Sequence, residues 1–264
     1  MIKWLRMYRL LIAASIRSRM EYRFNFWFST LMAVIINVVE FLMLAVILLK
    51  FGHIKGWTME ECGYLYAVLT LSKAIYRTAA SDVHHLEKYL VGGDLDALLL
   101  RPIPILLALM SQNFQLKAGE LIQGTAILTI CMGVMIRQGQ MTWTAIPLTM
   151  VVIMSGAVLL FAIGLLTATA GFWILRIEEL QNITEDAART AAQYPMSIYP
   201  NWLQWLLIGG IPVAFANYLP SLYIVRQQMD WWIIPLSCAV AFLVLGAALA
   251  AWRVGISRYQ STGS

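Results

Sequence analysis

Glu87-Lys88-Tyr89-Leu90-Val91-Gly92-Gly93-Asp94-Leu95-Asp96-Ala97-Leu98-Leu99-Leu100-Arg101-Pro102 is a punctuated polar island between long apolar runs. Gly92 and Gly93 can take the left-handed conformation that stops a helix, and Asp94 suits the N-cap of the turns that follow. The spacing predicts a second, short helix there. Leu95, Leu98, Leu99 and Leu100 leave that helix apolar over most of its surface, while Pro102 disfavours helical geometry at Arg101 and closes it. Such a helix needs an apolar groove to sit in, or else it rests its leucines on lipid as an interfacial turn.

The runs on either side decide the class. Of 264 residues, 60% are hydrophobic and only 12% charged, with a mean hydropathy of +0.71, which is the composition of an integral membrane protein. Cys62, Cys131 and Cys238 are widely spaced inside apolar runs and read as small core residues, neither a disulfide framework nor a metal site. The net charge of +5 does not point to nucleic acid, because the basic residues crowd at the N-terminus and at the ends of apolar runs, as an anionic cytoplasmic leaflet requires. The first apolar run of adequate length is too long for the core of a cleavable signal peptide.

In chain order, residues 1–23 place Trp4, Leu5, Tyr8, Leu11, Ile12, Ser15 and Ile16 on one helical face and Lys3, Arg6, Arg9 and Arg17 on the other. This predicts an amphipathic interfacial helix or the positive flank of the first span. The first span, 24–49, carries Glu40 near its middle, which is costly unless it faces protein or water. The second, 59–81, carries Lys73 and Arg77 one turn apart, both placed to snorkel to the cytoplasmic interface. His84 and His85 are adjacent and cannot share a helical face at ligand spacing, so a solvated loop is expected there.

The third span, 104–136, is longer than a bilayer needs, so its polar start around 112–120 projects into the cytoplasm or lines a cavity. The fourth, 143–174, is rich in small residues (Ser155, Gly156, Gly164, Thr167, Ala168, Gly171) and predicts close helix packing. Two readings compete for the fifth. By hydropathy, 180–199 is a polar loop and 202–223 crosses. Alternatively 180–199 crosses facing a cavity, and the Gly209-Gly210, Pro212 and Pro220 breaks make 202–223 a re-entrant pair. The last span is 231–252. Both readings give an all-α fold of six transmembrane helices in a single domain, 1–264, with both termini in the cytoplasm. The basic residues agree: Lys3, Arg6, Arg9, Arg17, Arg19, Arg23, Lys88, Arg101, Arg176, Arg253 and Arg258 fall inside, against Lys50, Lys55, Arg137 and Arg226 outside.

This order of features resembles the ABC-2-type permeases, the membrane subunits of ATP-driven exporters, over nearly the whole chain. The residues that carry the resemblance are the basic N-terminal helix, the 92–102 segment, the Arg176-Ile177-Glu178 end of the fourth span, and Tyr194-Pro195-Met196-Ser197-Ile198-Tyr199-Pro200-Asn201-Trp202-Leu203. Leu95-Asp96-Ala97-Leu98-Leu99-Leu100-Arg101-Pro102 and the C-terminal Arg258-Tyr259-Gln260-Ser261-Thr262-Gly263-Ser264 are similar to a subgroup of drug or viologen-type export permeases. The resemblance implies a cytoplasmic coupling helix within 83–103, made of Gly92, Gly93, Asp94, Leu95, Asp96, Leu98, Leu99, Arg101 and Pro102. It also implies an outer re-entrant pair at 201–223, a second permease subunit (identical or related), a cytosolic ATPase dimer that holds the ATP and Mg, and a bacterial cytoplasmic membrane. No cofactor is expected on this chain.

The chain itself has no Gly-x-x-x-x-Gly-Lys-Ser/Thr phosphate loop, no His-Glu-x-x-His and no Gly-x-Ser-x-Gly, so it reads as a transport subunit and not an enzyme. A secondary transporter, expected to show internal repeats, and a scaffold or sensor without flux are the alternatives. Candidate pathway residues are Asp186, Glu185, Arg189 and Glu40. Glu185 and Arg189 are four apart, the spacing of a helical ion pair, which leaves Asp186 pointing elsewhere, toward a cationic substrate.

Overall fold

The computed structural model describes residues 55–259 except 81, 113 and 175, together with scattered helical positions between 7 and 46. The interfacial helix expected at 1–23, the first span with Glu40, and the tail 260–264 lie wholly or largely outside the described residues. Helix α1 (Met59–Ala79) is set by a capping box: Glu61 N–H donates to the Thr58 hydroxyl at 3.4 Å, and Thr58 N–H donates to the Glu61 carboxylate at 2.9 Å. A 3₁₀ turn (Val83–His85) leads into three short helices, α2 (Leu86–Val91), α3 (Asp94–Leu99) and α4 (Ile105–Ser111). The long helices α5 (Ala118–Arg137) and α6 (Ala145–Thr169) follow, α6 being prolonged by the 3₁₀ turn Ala170–Phe172.

Helix α7 (Glu178–Gln181) passes through a π turn (Asn182–Ala187) into α8 (Ala188–Ala192). Helix α9 (Asn201–Trp205), a second π turn (Leu206–Gly210), a 3₁₀ turn (Val213–Ala216) and α10 (Tyr218–Ile224) precede α11 (Ile233–Arg258). Helix α1 is the centre: it packs along both α5 and α6, and α6 packs in turn along α11. Small side chains permit the approach. At Gly156 an added Cβ would stand 2.7 Å from Ser72 Oγ and 2.9 Å from the Ala216 carbonyl. Among the described residues, three helices are long and apolar enough to cross a membrane: Ala118–Arg137, Ala145–Phe172 and Ile233–Arg258.

Contacts between distant residues mark two ends of the bundle. At one, Arg226 Nε lies 3.3 Å from Glu61 Oε1, its guanidinium stacks 4.6 Å from the buried Trp57 ring, and Lys55 Nζ donates to the Ser197 carbonyl at 2.9 Å. At the other, Ile177 N–H donates to Glu87 Oε2 at 2.7 Å, and Lys117 N–H donates to Thr78 Oγ1 at 3.1 Å. The polar stretch 177–199 therefore runs from the Glu87 end to the Trp57 end, antiparallel to α1, which at 21 residues is about 31 Å long. Nearer the Trp57 end, buried Asn217 donates to the carbonyls of Ala192 (2.7 Å) and Leu65 (3.3 Å).

Two sequence expectations are corrected and one open choice is narrowed. The stretch 104–136 is not one helix: α4 stops at Gln112, whose backbone is extended, and the chain restarts at Ala118. The stretch 202–223, for which two readings stood open, is broken, because Pro212 supplies no N–H, Ile211 is extended, and Asn217 leaves helical geometry. Both of its ends lie toward the Trp57 end, while its Gly209-Gly210-Ile211-Pro212 bend shares a pocket with Thr167 and Leu180. Finally, Lys73 and Arg77 do not snorkel outward. Lys73 Nζ turns in to Glu120 at 3.7 Å and Arg77 to Glu185 at 3.7 Å, because buried carboxylates on α5 and on the π turn are nearer than the water they would otherwise reach.

Candidate functional site

The short helices at the Glu87 end are fixed by one face. Leu86, Leu90, Leu95 and Leu98 are buried against Leu165, Ala168, Ala248 and Trp252 of α6 and α11. The turn between α2 and α3 is made by Gly93 alone, at φ +71°; Gly92 stays right-handed at φ −80°. Gly93 also occupies the N-cap position, accepting the Asp96 N–H at 3.2 Å, so Asp94 sits in the first turn of α3 and does not cap it. Its charge still favours that position, near the positive end of the helix. Phe172 stacks edge-on against Trp252 and Tyr259, and burial together with the Asp96 carboxylate pushes the Tyr259 phenol above its ordinary pKa, which places the end of α11 against α3.

The opposite face is open. Val91 is 59% exposed, Leu99 41% and Leu100 88%, whereas Leu95 is fully buried and Leu98 is 2% exposed. Asp94, Arg101 and Pro102 flank this apolar patch at the surface. Of the segment picked out by sequence, Leu95 and Leu98 thus anchor it to the bundle, Asp96 lies against Tyr259, and Gly92, Asp94, Leu99, Arg101 and Pro102 are exposed. Beside it lies an open pocket of about 690 Å³ lined by His84, Glu87, Lys88, Arg176 and Asn182 among others.

The segment is joined to a buried charge cluster. Glu185, 8% exposed, directs Oε2 at three groups of α1 and the turn after it: Tyr76 OH donates at 3.2 Å, His84 Nδ1 lies 2.7 Å away, and Arg77 lies 3.7 Å away. Arg77 Nε donates to the Tyr76 oxygen at 2.7 Å, and its terminal nitrogen lies 3.0 Å from His84 Nε2. The His84 ring therefore lies between the Arg77 guanidinium and the Glu185 carboxylate. Burial and the neighbouring His84 hold His85 below the ordinary imidazole pKa. Glu185 fits because α6 has a glycine opposite: a Cβ on Gly164 would lie 3.2 Å from its carboxylate oxygen.

Sequence spacing pairs Glu185 with Arg189, and the structure pairs them differently. Arg189 Nε lies 3.7 Å from Asp186 Oδ1, and Glu185 faces α1. Two causes combine: the π turn alters the helical phase through 182–187, and α1 offers Glu185 a guanidinium and a phenol together. Asp186 remains 45% exposed. Tyr76, Arg77 and His84 as partners of Glu185, and Glu87 as the acceptor for Ile177, were not legible from sequence, since each contact joins segments far apart in the chain.

A helical membrane bundle with a short-helix platform at one end agrees with the comparison to known families. The model describing the ABC-2 family transporter proteins matches residues 34–263. The chain belongs to the ABC-2 transporter family. ABC-2 proteins are membrane transport components, so both the platform and the charge cluster belong to a transport subunit. No curated protein and no solved structure gave a significant match.

Proposed function

We infer that this ABC-2 family chain is the permease subunit of an ATP-driven exporter, and that α2–α3 is its coupling segment. The observation that carries the reading is the division of labour within this platform: Leu95 and Leu98 are locked inside, while Val91, Leu99 and Leu100 expose apolar surface. A patch of this kind, edged by Asp94 and Arg101, suits a groove on a cytosolic ATPase. ATP and Mg then reside on that partner, and a second permease subunit, identical or related, completes the pathway.

The platform has two links to the polar helix, Glu87 to Ile177 and His84 to Glu185. In the proposed mechanism, closure of the ATPase dimer moves α2–α3, and these links carry the displacement into 177–192, where Asp186 faces the pathway and Arg189 supports it. Rigid-body rocking of this sort is a recurrent switching mode. Six spans are proposed, with 177–199 as the fifth and 201–223 as the outer re-entrant pair. Lys88, Arg101, Lys117, Arg176, Arg253 and Arg258 gather at or near the Glu87 end and Lys55, Arg137 and Arg226 at the Trp57 end, which favours the Glu87 end, and both termini, on the cytoplasmic side of a bacterial inner membrane. The test is purification of the tagged chain with mass spectrometry of what co-elutes. An ABC ATPase that binds wild type and is lost from Leu100→Asp supports the reading; retention of the ATPase by that variant rejects α3 as the contact.

A further inference from the structure

Helices α5 and α6 both lie along α1 but scarcely touch each other. The gap between them is a groove of about 550 Å³ with Leu71 and Ile75 of α1 on its floor. Its walls are apolar: Leu121, Leu128 and Met132 on one side, Ile146, Met150 and Ile153 on the other. Two of the hydroxyls within it bond to protein, Thr129 to the Thr125 carbonyl at 2.8 Å and Thr149 to the Ala145 carbonyl at 2.7 Å and the Tyr64 hydroxyl at 2.9 Å. At Gly133 the wall is missing, since a Cβ there would meet nothing within 4 Å.

At the Trp57 end the groove finishes on Arg137, in the last turn of α5, and on Trp143, which is 73% exposed. Arg137 is exposed and makes no ion pair among the described residues, and the sequence holds no aspartate or glutamate between 121 and 177. Among the described residues that cation has no carboxylate within salt-bridge distance, and it shares the groove's end with an indole, at the depth where headgroups lie. A helix is too large for the space: about 10 Å across and fifteen residues long, it occupies on the order of 1,700 Å³, several times the groove. We propose that the groove is a binding site for one membrane phospholipid, its acyl chain between α5 and α6 and its phosphate on Arg137.

The test uses the full chain purified in detergent and then exposed, in separate samples, to phosphatidylglycerol and phosphatidylcholine with the same acyl chains, with retained lipid counted by native mass spectrometry. Wild type is expected to retain phospholipid after washing, the anionic lipid more strongly. Arg137→Gln should lower retention of phosphatidylglycerol about tenfold, the size of one charge-assisted hydrogen bond, and reduce the preference over phosphatidylcholine. Gly133→Leu projects into open space, so the fold is retained, and it should displace both lipids. Undiminished retention in Gly133→Leu overturns the proposal, as does failure of wild type to retain either lipid. A disulfide between two chains from a cysteine placed at 133 overturns it in favour of a second copy.

Discussion

His84 Nδ1 lies 2.7 Å from Glu185 Oε2, joining the turn that opens the short-helix platform to the π turn of the polar helix. Arg77 completes the arrangement from above, 3.0 Å from the other ring nitrogen and 3.7 Å from the carboxylate. His84 thus stands between Arg77 of α1 and Glu185 of the π turn, so the platform and the polar helix meet at this residue.

Glu185→Ala should therefore destabilise the protein substantially. It leaves a buried guanidinium without its anion, a change that costs about 3–5 kcal/mol in comparable buried pairs. Asp186→Ala, which disturbs a partly exposed pair, should cost no more than about 1 kcal/mol. Thermal unfolding of both variants in the same detergent checks the contrast, and equal midpoints would show that the Glu185 cluster is not a structural tie.

The three leucines at the end of α3 should separate cleanly. Leu98→Asp places a carboxylate in the core at a position 2% exposed, at a cost of several kcal/mol, and should abolish folded protein. Leu99→Asp and Leu100→Asp should give normal amounts of monodisperse protein that no longer captures its ATPase. Size-exclusion profiles and pull-downs from the same preparations distinguish the two effects.

Glu87 offers a probe of transmission that leaves the docking patch intact. Glu87→Ala removes the acceptor for Ile177 N–H and should cost about 1–3 kcal/mol, with ATPase binding retained and transport uncoupled from hydrolysis. Glu87→Gln keeps an acceptor at that position and should largely restore transport. If the two variants transport equally well in vesicles with matched amounts of complex, the link carries no motion.

Asp186→Asn tests the pathway. The variant should export cationic substrates less well than neutral ones, with the complex assembled and basal ATP hydrolysis unchanged. Equal transport of both classes would confine Asp186 to its contact with Arg189.

Accessibility of single cysteines tests the orientation of the two bundle ends. Replacements at Gly139, Asn201 and Gln227 should react with an impermeant reagent from outside intact cells, and one at Gly93 should not. Labelling of Asn201 from the cytoplasm would restore the continuous span at 202–223.

Length, hydropathy and punctuation by themselves determined the membrane class, the helical content, and the short helix between Gly93 and Pro102, because these depend on local quantities: transfer energy per residue, backbone freedom at glycine, and the missing N–H of proline. The small residues of α6 likewise announced close packing, and Gly156 and Gly164 are points of near contact. Which leucines of α3 face inward was decided by tertiary structure, since an all-apolar stretch carries no phase and the bundle must supply the second surface. The same holds for the charges. Spacing alone joined Glu185 to Arg189, but a π turn is not written in side-chain periodicity, and a buried carboxylate goes to whichever cation the fold delivers. Here that cation is Arg77, with His84 beside it, brought up by a helix that the sequence places about a hundred residues earlier.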